Sequence, residues 1–392
     1  AMPRKDRLYP DPLEYLGWCS WDAFYHAVDA DGLLRKTEEL KALGLPVRWV
    51  MIDDGWSATR EKRLASYDAD RGKFPDGLAP VIRKMKEEHG VSWIGVWHTI
   101  AGYWGGVDPQ GELFALNRPH LAEVGGGAWV PAPEAVRAFG FWNDWHGYLK
   151  RQGVDFVKVD SQSAVANFFA ERAPIGEAAS ELHTALEASV CLHFNGWVIN
   201  CMGMASENVW HRPASSVSRT SDDFVPDDPR GFREHALQNA YNSFFHGAFY
   251  WGDWDMFWTD HADAVRHMLL RAVSGGPVYI SDRLGRTKPE HVWPLIYRDG
   301  RVIRCDLPGR PTADCLAADP ESKPIPLKIW NRAGETGVLA AFHLHRNDST
   351  VSGGFGPADI PGLSGERFLV FDHARQRVFP MRREGRRTLG LP

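Results

Sequence analysis

The chain has 392 residues, 44% hydrophobic and 24% charged, which excludes a disordered, collagen-like or coiled-coil protein. Lys+Arg 45 against Asp+Glu 50 leaves a formal charge of −5, with no basic footprint for nucleic acid or an anionic membrane. No apolar run approaches the roughly 18 residues that suggest a membrane span.

The opening AMPRKDRLYPDP has basic residues but no apolar stretch behind them. It does not read as a secretory signal, and a reducing cytoplasm is the default expectation. Short apolar stretches then alternate with longer amphipathic ones. Strands are predicted at 16–20, 48–53, 92–97, 156–160, 197–201, 216–222, 248–251 and 277–282. Helices are predicted between them at 33–43, 78–89, 135–152, 175–194, 230–245 and 262–274, where apolar residues recur at i, i+3/i+4 and i+7. This α/β alternation fits a (β/α)8 TIM barrel over residues 1–288. A doubly wound open sheet would want a glycine-rich phosphate loop after its first strand, and GWCSWDAFY is not one.

Residues 101–130 form a long Gly-, Trp- and Pro-rich excursion, of the kind used as lids or binding loops. Beyond 288 the pattern changes to short strands, predicted at 302–305, 326–330, 337–343 and 367–371. Residues 289–392 therefore read as a small all-β C-terminal domain, sandwich-like and packed on the barrel. Five cysteines, Cys19, Cys191, Cys201, Cys305 and Cys315, form no CxxC pair and suggest neither a zinc ribbon nor a disulfide framework.

Polar chemistry clusters where the predicted strands end, the end at which a barrel keeps its active site. Asp160 closes VKVD, and period-2 alternation puts Lys158 on the same side. A cation there keeps the carboxylate ionised, as a nucleophile needs, although a structural ion pair has the same spelling. In RTSDD, adjacent Asp222 and Asp223 repel, so one of them tends toward a raised pKa and suits a general acid; helix capping is the plain alternative. Two acids on different strands across a barrel mouth are what glycoside hydrolysis uses. Asp53, Asp54 and Trp56 in IDDGW suit sugar hydroxyls and a sugar face. The competing Mg²⁺ or Ca²⁺ site has no other ligand spacing to support it. Trp18, Trp21 and Asp22 in GWCSWD offer similar chemistry, and Tyr103-Trp104 suits a lid or an extra sugar subsite. Asp255 is placed to bind a sugar or to orient Arg219. His98 reads equally as a satisfied structural group or a ligand. Cys201 reads as a small wall residue rather than a nucleophile.

The motifs GWCSWDAFY, IDDGW, KFPDGL, GYWGG, VKVD, SDDF, DWDMF and GGPVYISD follow one another in the order of the raffinose synthase and seed imbibition protein group of glycoside hydrolase family 36, which this chain resembles from Trp18 to about Trp330. LPGRPTADCLAADP and LKIWN are similar to the same group. The resemblance implies a retaining enzyme acting on α-galactosides through a covalent galactosyl-enzyme. It implies Asp160 as nucleophile and Asp222 as acid/base, with Asp223 the alternative by Arg-x-x-x-Asp spacing from Arg219. It implies Asp53 and Asp54 on the galactose 4- and 6-hydroxyls, with Trp56 nearby. Trp21, Trp97, Lys158, Cys201 and Arg219 are implied as further walls and donors.

No cofactor or metal is expected, since two carboxylates supply the chemistry. The expected partner is a small sugar substrate, with neither nucleic acid nor membrane, and a homo-oligomer stays open. Members also carry a large β-sandwich before the barrel, whereas here the first barrel motif begins at Gly17. The group contains both hydrolases and galactosyltransferases, so transfer to a sugar is the alternative to hydrolysis. A catalytically idle carbohydrate-binding barrel is the rival outside the enzymes.

Overall fold

The computed structural model describes residues 2–228, 230–347 and 350–392. Eight parallel strands curl into a barrel: β1 Gly17–Cys19, β2 Trp49–Ile52, β3 Trp93–Thr99, β4 Phe156–Asp160, β5 Val198–Asn200, β6 Val217–Arg219, β7 Trp251–Asp253 and β8 Tyr279–Ile280. The ladder runs β7-β6-β5-β4-β3-β2-β1-β8. Among the described residues β7 and β8 share no ladder; the seam is closed by close backbone approach and a side-chain bond. A Cβ on Gly276 would lie 1.9 Å from the Gly252 carbonyl oxygen, and the Tyr279 hydroxyl donates to Asp253 at 3.0 Å. Most strand positions are buried, as expected where helices cover one face of a parallel sheet and side chains fill the other.

The covering helices are α1 Ala30–Ala42, α2 Leu78–Glu88, α3 Ala135–Gln152, α4 Ile175–Phe194, α5 Gly231–His246 and α6 Ala264–Ser274. Their ends follow local chemistry. Asp29 caps α1 by accepting the Gly32 N–H at 2.7 Å, and α3 stops at Gly153 with φ 98°.

The strand expected at 248–251 is corrected to Trp251–Asp253. Residues 248–250 belong to the turn leaving α5, where the Tyr250 N–H bonds the His246 carbonyl. An apolar run cannot by itself separate a helix exit from a strand entry. An antiparallel hairpin, Ser57–Arg60 with Arg63–Ala69, lies beyond β2 and was not expected. Its turn residues Glu61 and Lys62 take φ 50° and 60° without glycine, so the usual Asn-Gly signal is absent.

After the barrel, β9 Leu327–Ala333 and β10 Thr336–Phe342 form a hairpin. Leu327, Ile329 and Phe342 pack with Phe232 and Ala236 of α5 and Leu270 and Val273 of α6. Strands Val351–Phe355, Arg377–Arg382 and Arg387–Leu391 were not expected. The strand expected at 302–305 is only an isolated bridge between Ile296 and Val302. Among the described residues no helix is long and apolar enough to cross a membrane.

Gly17 shows how tightly the barrel is filled: a Cβ there would sit 2.1 to 2.4 Å from ring atoms of Trp49. Gly17→Ala is expected to cost about 1–3 kcal/mol by overpacking. Urea denaturation checks this, and an unchanged midpoint would contradict it.

Candidate active site

The strand ends bring carboxyls together around two buried cations. Lys158, on β4, places its Nζ 2.8 Å from Asp53 Oδ2. Burial alone would lower its ammonium, but Asp53 holds it well above the usual lysine value. Cys19 also donates its thiol to Asp53, at 3.3 Å. The adjacent Asp54 turns the other way. It accepts the Tyr103 hydroxyl at 2.8 Å and the Trp104 indole N–H at 3.0 Å, and its Oδ2 lies 3.2 Å from His26 Nε2. The excursion after β3 is therefore docked onto Asp54.

Asp160, at the end of β4, is buried and accepts two donors: the Trp97 indole N–H at 2.9 Å and the Ser161 backbone N–H at 2.6 Å. Burial raises its pKa against the pull of Lys158 and these donors, and the charge of Asp223 adds to the rise.

Arg219, at the end of β6, is fully buried and binds three carboxylates: Asp223 at 2.8 Å, Asp253 at 3.2 Å and Asp255 at 2.6 Å. Burial opposes its charge, but Asp255 and the others hold the guanidinium ionised. Asp255 is buried, with φ 67°, and also accepts the Phe224 N–H at 2.7 Å. Burial pushes it up to about 6 despite Arg219. Asp223 is lowered: burial would raise it, but Arg219 and Lys158 outweigh that. Its side chain is nonetheless about half exposed, 49%, so it stands at the rim.

The expected pair therefore divides. Asp222 is exposed and points to α5, where its Oδ2 accepts from Gln238 Nε2 at 3.1 Å and its N–H donates back to Gln238 at 2.7 Å. Asp223 joins Arg219 and acts electrostatically on Asp160, Asp22 and Asp255. The structure differs from the expected order in holding Asp223, not Asp222, on Arg219.

Trp56 is a second correction. It is fully buried, and its indole N–H is committed to the Trp97 carbonyl at 2.8 Å. It supports Trp97 from beneath instead of presenting a face to a sugar. Trp18 is likewise core, bonded to the Asp282 carbonyl. Trp21 stays partly exposed, packed edge-on to Tyr25 and His26. Cys201 is buried, its thiol pushed well up by burial and by Asp160, which suits a wall and not a nucleophile. His98 is structural: it stacks near Trp142, bonds His146 at 3.1 Å, and burial lowers it to about 4.

Tyr279 had little sequence signal: it meets Arg219 and Asp253 across the β7–β8 seam. Asp253 is the register partner of Arg219 on the adjacent strand and bonds it directly. Asp22 is buried beside the acids with no partner for its Oδ2. Burial and then Asp255 push it well above the ordinary carboxyl range. Among the described residues no group of three His, Cys, Asp or Glu is placed to hold a metal ion.

The acids of this (β/α)8 barrel cluster at the C-terminal ends of its strands, the face on which such barrels keep their active sites. The chain belongs to the "Raffinose synthase or seed imbibition protein Sip1" family, whose model matches residues 2–73, 60–124 and 121–347. It is 36% identical over 376 residues to "Probable galactinol--sucrose galactosyltransferase 6" of Arabidopsis thaliana, covering 87% of this chain and 50% of that protein. The chain thus spans about half the length of the curated relatives it matches. In fold it is similar to the GH27 β-L-arabinopyranosidase of Geobacillus stearothermophilus, with TM-score 0.66, 16% identity and coverage of 98% and 95% of the two chains. It is also similar to α-galactosidase I of Mortierella vinacea, with TM-score 0.63, 16% identity and coverage of 96% and 94%.

Removing Arg219 leaves buried carboxylates without compensation. Arg219→Met is expected to cost about 3–5 kcal/mol, read as a lowered urea midpoint. A midpoint equal to the parent's would contradict the ion-pair geometry.

Proposed function

We propose that the chain transfers a galactosyl group from an α-galactoside with retention of configuration, Asp160 acting as nucleophile and Asp223 as acid/base. The observation that carries this reading is the placement of two acids on different strand ends in opposite settings. Asp160 is buried and fixed by two donors, while Asp223 stands at the rim on Arg219. Asp160 attacks the anomeric carbon as Asp223 protonates the departing oxygen. Asp223, then a carboxylate, deprotonates the incoming hydroxyl, which displaces Asp160. Lys158 with Asp53, and Asp54 with Tyr103 and Trp104, supply donors and acceptors for the sugar hydroxyls. The names of the curated relatives favour a sugar acceptor such as sucrose, with galactinol as donor. Hydrolysis is the second reading, favoured by the half exposure of Asp223, which lets water reach it.

The protonation states need substrate. In the free protein Asp223 is lowered and Asp160 raised. A leaving group over Asp223 strips water from its exposed side and raises it toward the protonated form. The Trp97 and Ser161 donors keep Asp160 anionic.

Asp160→Ala is expected to abolish turnover of an aryl α-galactoside while leaving the urea midpoint in place. Retained turnover would contradict the nucleophile. Asp223→Ala should lose about 10²–10⁴-fold on poor leaving groups and recover with azide or an activated aryl group; the same pattern in Asp222→Ala instead would reverse the assignment. Because Asp160 must be ionised, kcat/KM should fall with decreasing pH, with a midpoint above the roughly 3.9 of a free aspartate. A midpoint at or below that value would contradict its burial.

A further inference from the structure

Behind the acid cluster lies a further buried cation. Arg271, on α6, is 2% exposed. Its Nε–H and Nη2–H donate to the Asp255 carbonyl, at 3.2 and 3.0 Å, and Nη2–H donates to the Met256 carbonyl at 2.8 Å. Nη1 lies 2.9 Å from His267 Nδ1, and Nη2 lies 3.2 Å from His235 Nε2. These partners are carbonyls and ring nitrogens; among the described residues no carboxylate pairs with Arg271 directly. Burial lowers it to about 10, against the pull of Asp255. A guanidinium taken out of water without a counter-charge in contact is expensive. Its rigid fork of donors suits a place where several segments must be fixed at once.

The groups that Arg271 grips reach one short stretch, residues 221–224, from different sides. Asp255 is held by its carbonyl at φ 67°, a region disfavoured for residues with a Cβ, and its Oδ2 accepts the Phe224 N–H at 2.7 Å. His267 packs against the Phe224 ring, with centroids 4.2 Å apart. His235 Nδ1 lies 3.3 Å from Ser221 Oγ. Asn239, whose Nδ2 lies 3.1 Å from His235 Nε2, accepts the Thr220 hydroxyl at 2.6 Å. Asp223 stands between these holds. Its carboxyl meets Arg219 and is half exposed, so the backbone on either side decides where it points.

Resting on the reading of Asp223 as acid/base, we infer that Arg271 is a positioning residue for the proton transfer. Through Asp255, His267 and His235 it clamps both ends of 221–224 and so sets the Asp223 carboxyl over the departing oxygen. Arg271 touches neither the substrate nor Asp223. A general acid must come within hydrogen-bond reach of the oxygen it protonates, and a displacement of about 1 Å costs about 10²-fold in rate. Lysine would keep the charge, but one ammonium lacks the planar fork that spans two carbonyls and two rings.

Two measurements test the inference on the whole chain. Hydrogen exchange, read by mass spectrometry, compares the parent with Arg271→Lys. Amides of residues 221–224 should exchange about tenfold or more faster in the variant, while peptides from β1 to β4 keep the parent's protection. Equal exchange at 221–224, or protection lost evenly over the barrel, would overturn the inference. Turnover is then compared on two aryl α-galactosides, one with an activated leaving group that departs with little acid assistance and one with a poor leaving group that requires it. The ratio of their kcat/KM values, activated over poor, should rise about tenfold or more in Arg271→Lys, in the same direction as in Asp223→Ala. A looser fold alone would lower both substrates together, so a ratio within about twofold of the parent's would overturn the inference. Should Arg271→Lys not fold, His267→Leu, which removes one of the holds, is read by the same measurements against the same outcomes. If Asp223→Ala itself leaves the ratio at the parent's value, the acid/base reading fails instead, and exchange at 221–224 still decides whether Arg271 clamps the loop.

Discussion

Two buried cations hold the mouth of this barrel together. Lys158 and Arg219 each lie among carboxyls that would repel one another without them. The acids outnumber the cations, and the surplus shows as raised carboxyls. Asp22, which has no direct cation partner among the described residues, is pushed well up by burial and then by Asp255. Asp255 is raised despite its contact with Arg219, because burial and two neighbouring acids outweigh one guanidinium. Asp223, half exposed and facing both cations electrostatically, is held below the usual carboxyl value. One electrostatic balance therefore ties the site's geometry to the direction in which each acid is shifted.

The fold makes that balance affordable. Parallel strands converge at one end, so acids distant in sequence meet without any of them needing a helix or loop of its own. The aromatic residues fix the positions. Trp97 orients Asp160, Trp56 carries the backbone of Trp97, and the Tyr103-Trp104 excursion is latched on Asp54. Trp56 and Trp97 thus serve as scaffold for a carboxylate, with Trp21 left partly exposed at the site and Trp104 at the rim.

The alternation of apolar strands and amphipathic helices was legible because each barrel strand is buried and each helix shows one apolar stripe. The bounds of α3 and α4 coincide with those read from periodicity. Legibility ended where local pattern carries no direction. Strand β6 stops at Arg219, so alternation says nothing about which of Asp222 and Asp223 faces inward. The four-residue spacing from Arg219 was the usable signal, since it lets the guanidinium reach Asp223. Trp56 misled because a ring beside two acids reads the same whether it faces a ligand or supports a neighbour. The hairpin turn at Glu61-Lys62 uses a backbone conformation its residues do not advertise. Tyr279 became a site residue only through contact with Asp253 and Arg219 across the unladdered seam, which no single strand's sequence encodes.

The most direct test is to trap the covalent intermediate. Incubation with a slow fluorinated α-galactosyl fluoride, followed by intact-mass and peptide mass spectrometry, should show one added galactosyl-type unit on the peptide containing Asp160. An unmodified protein under conditions of measured turnover, or a label on a carboxylate other than Asp160, would contradict the account.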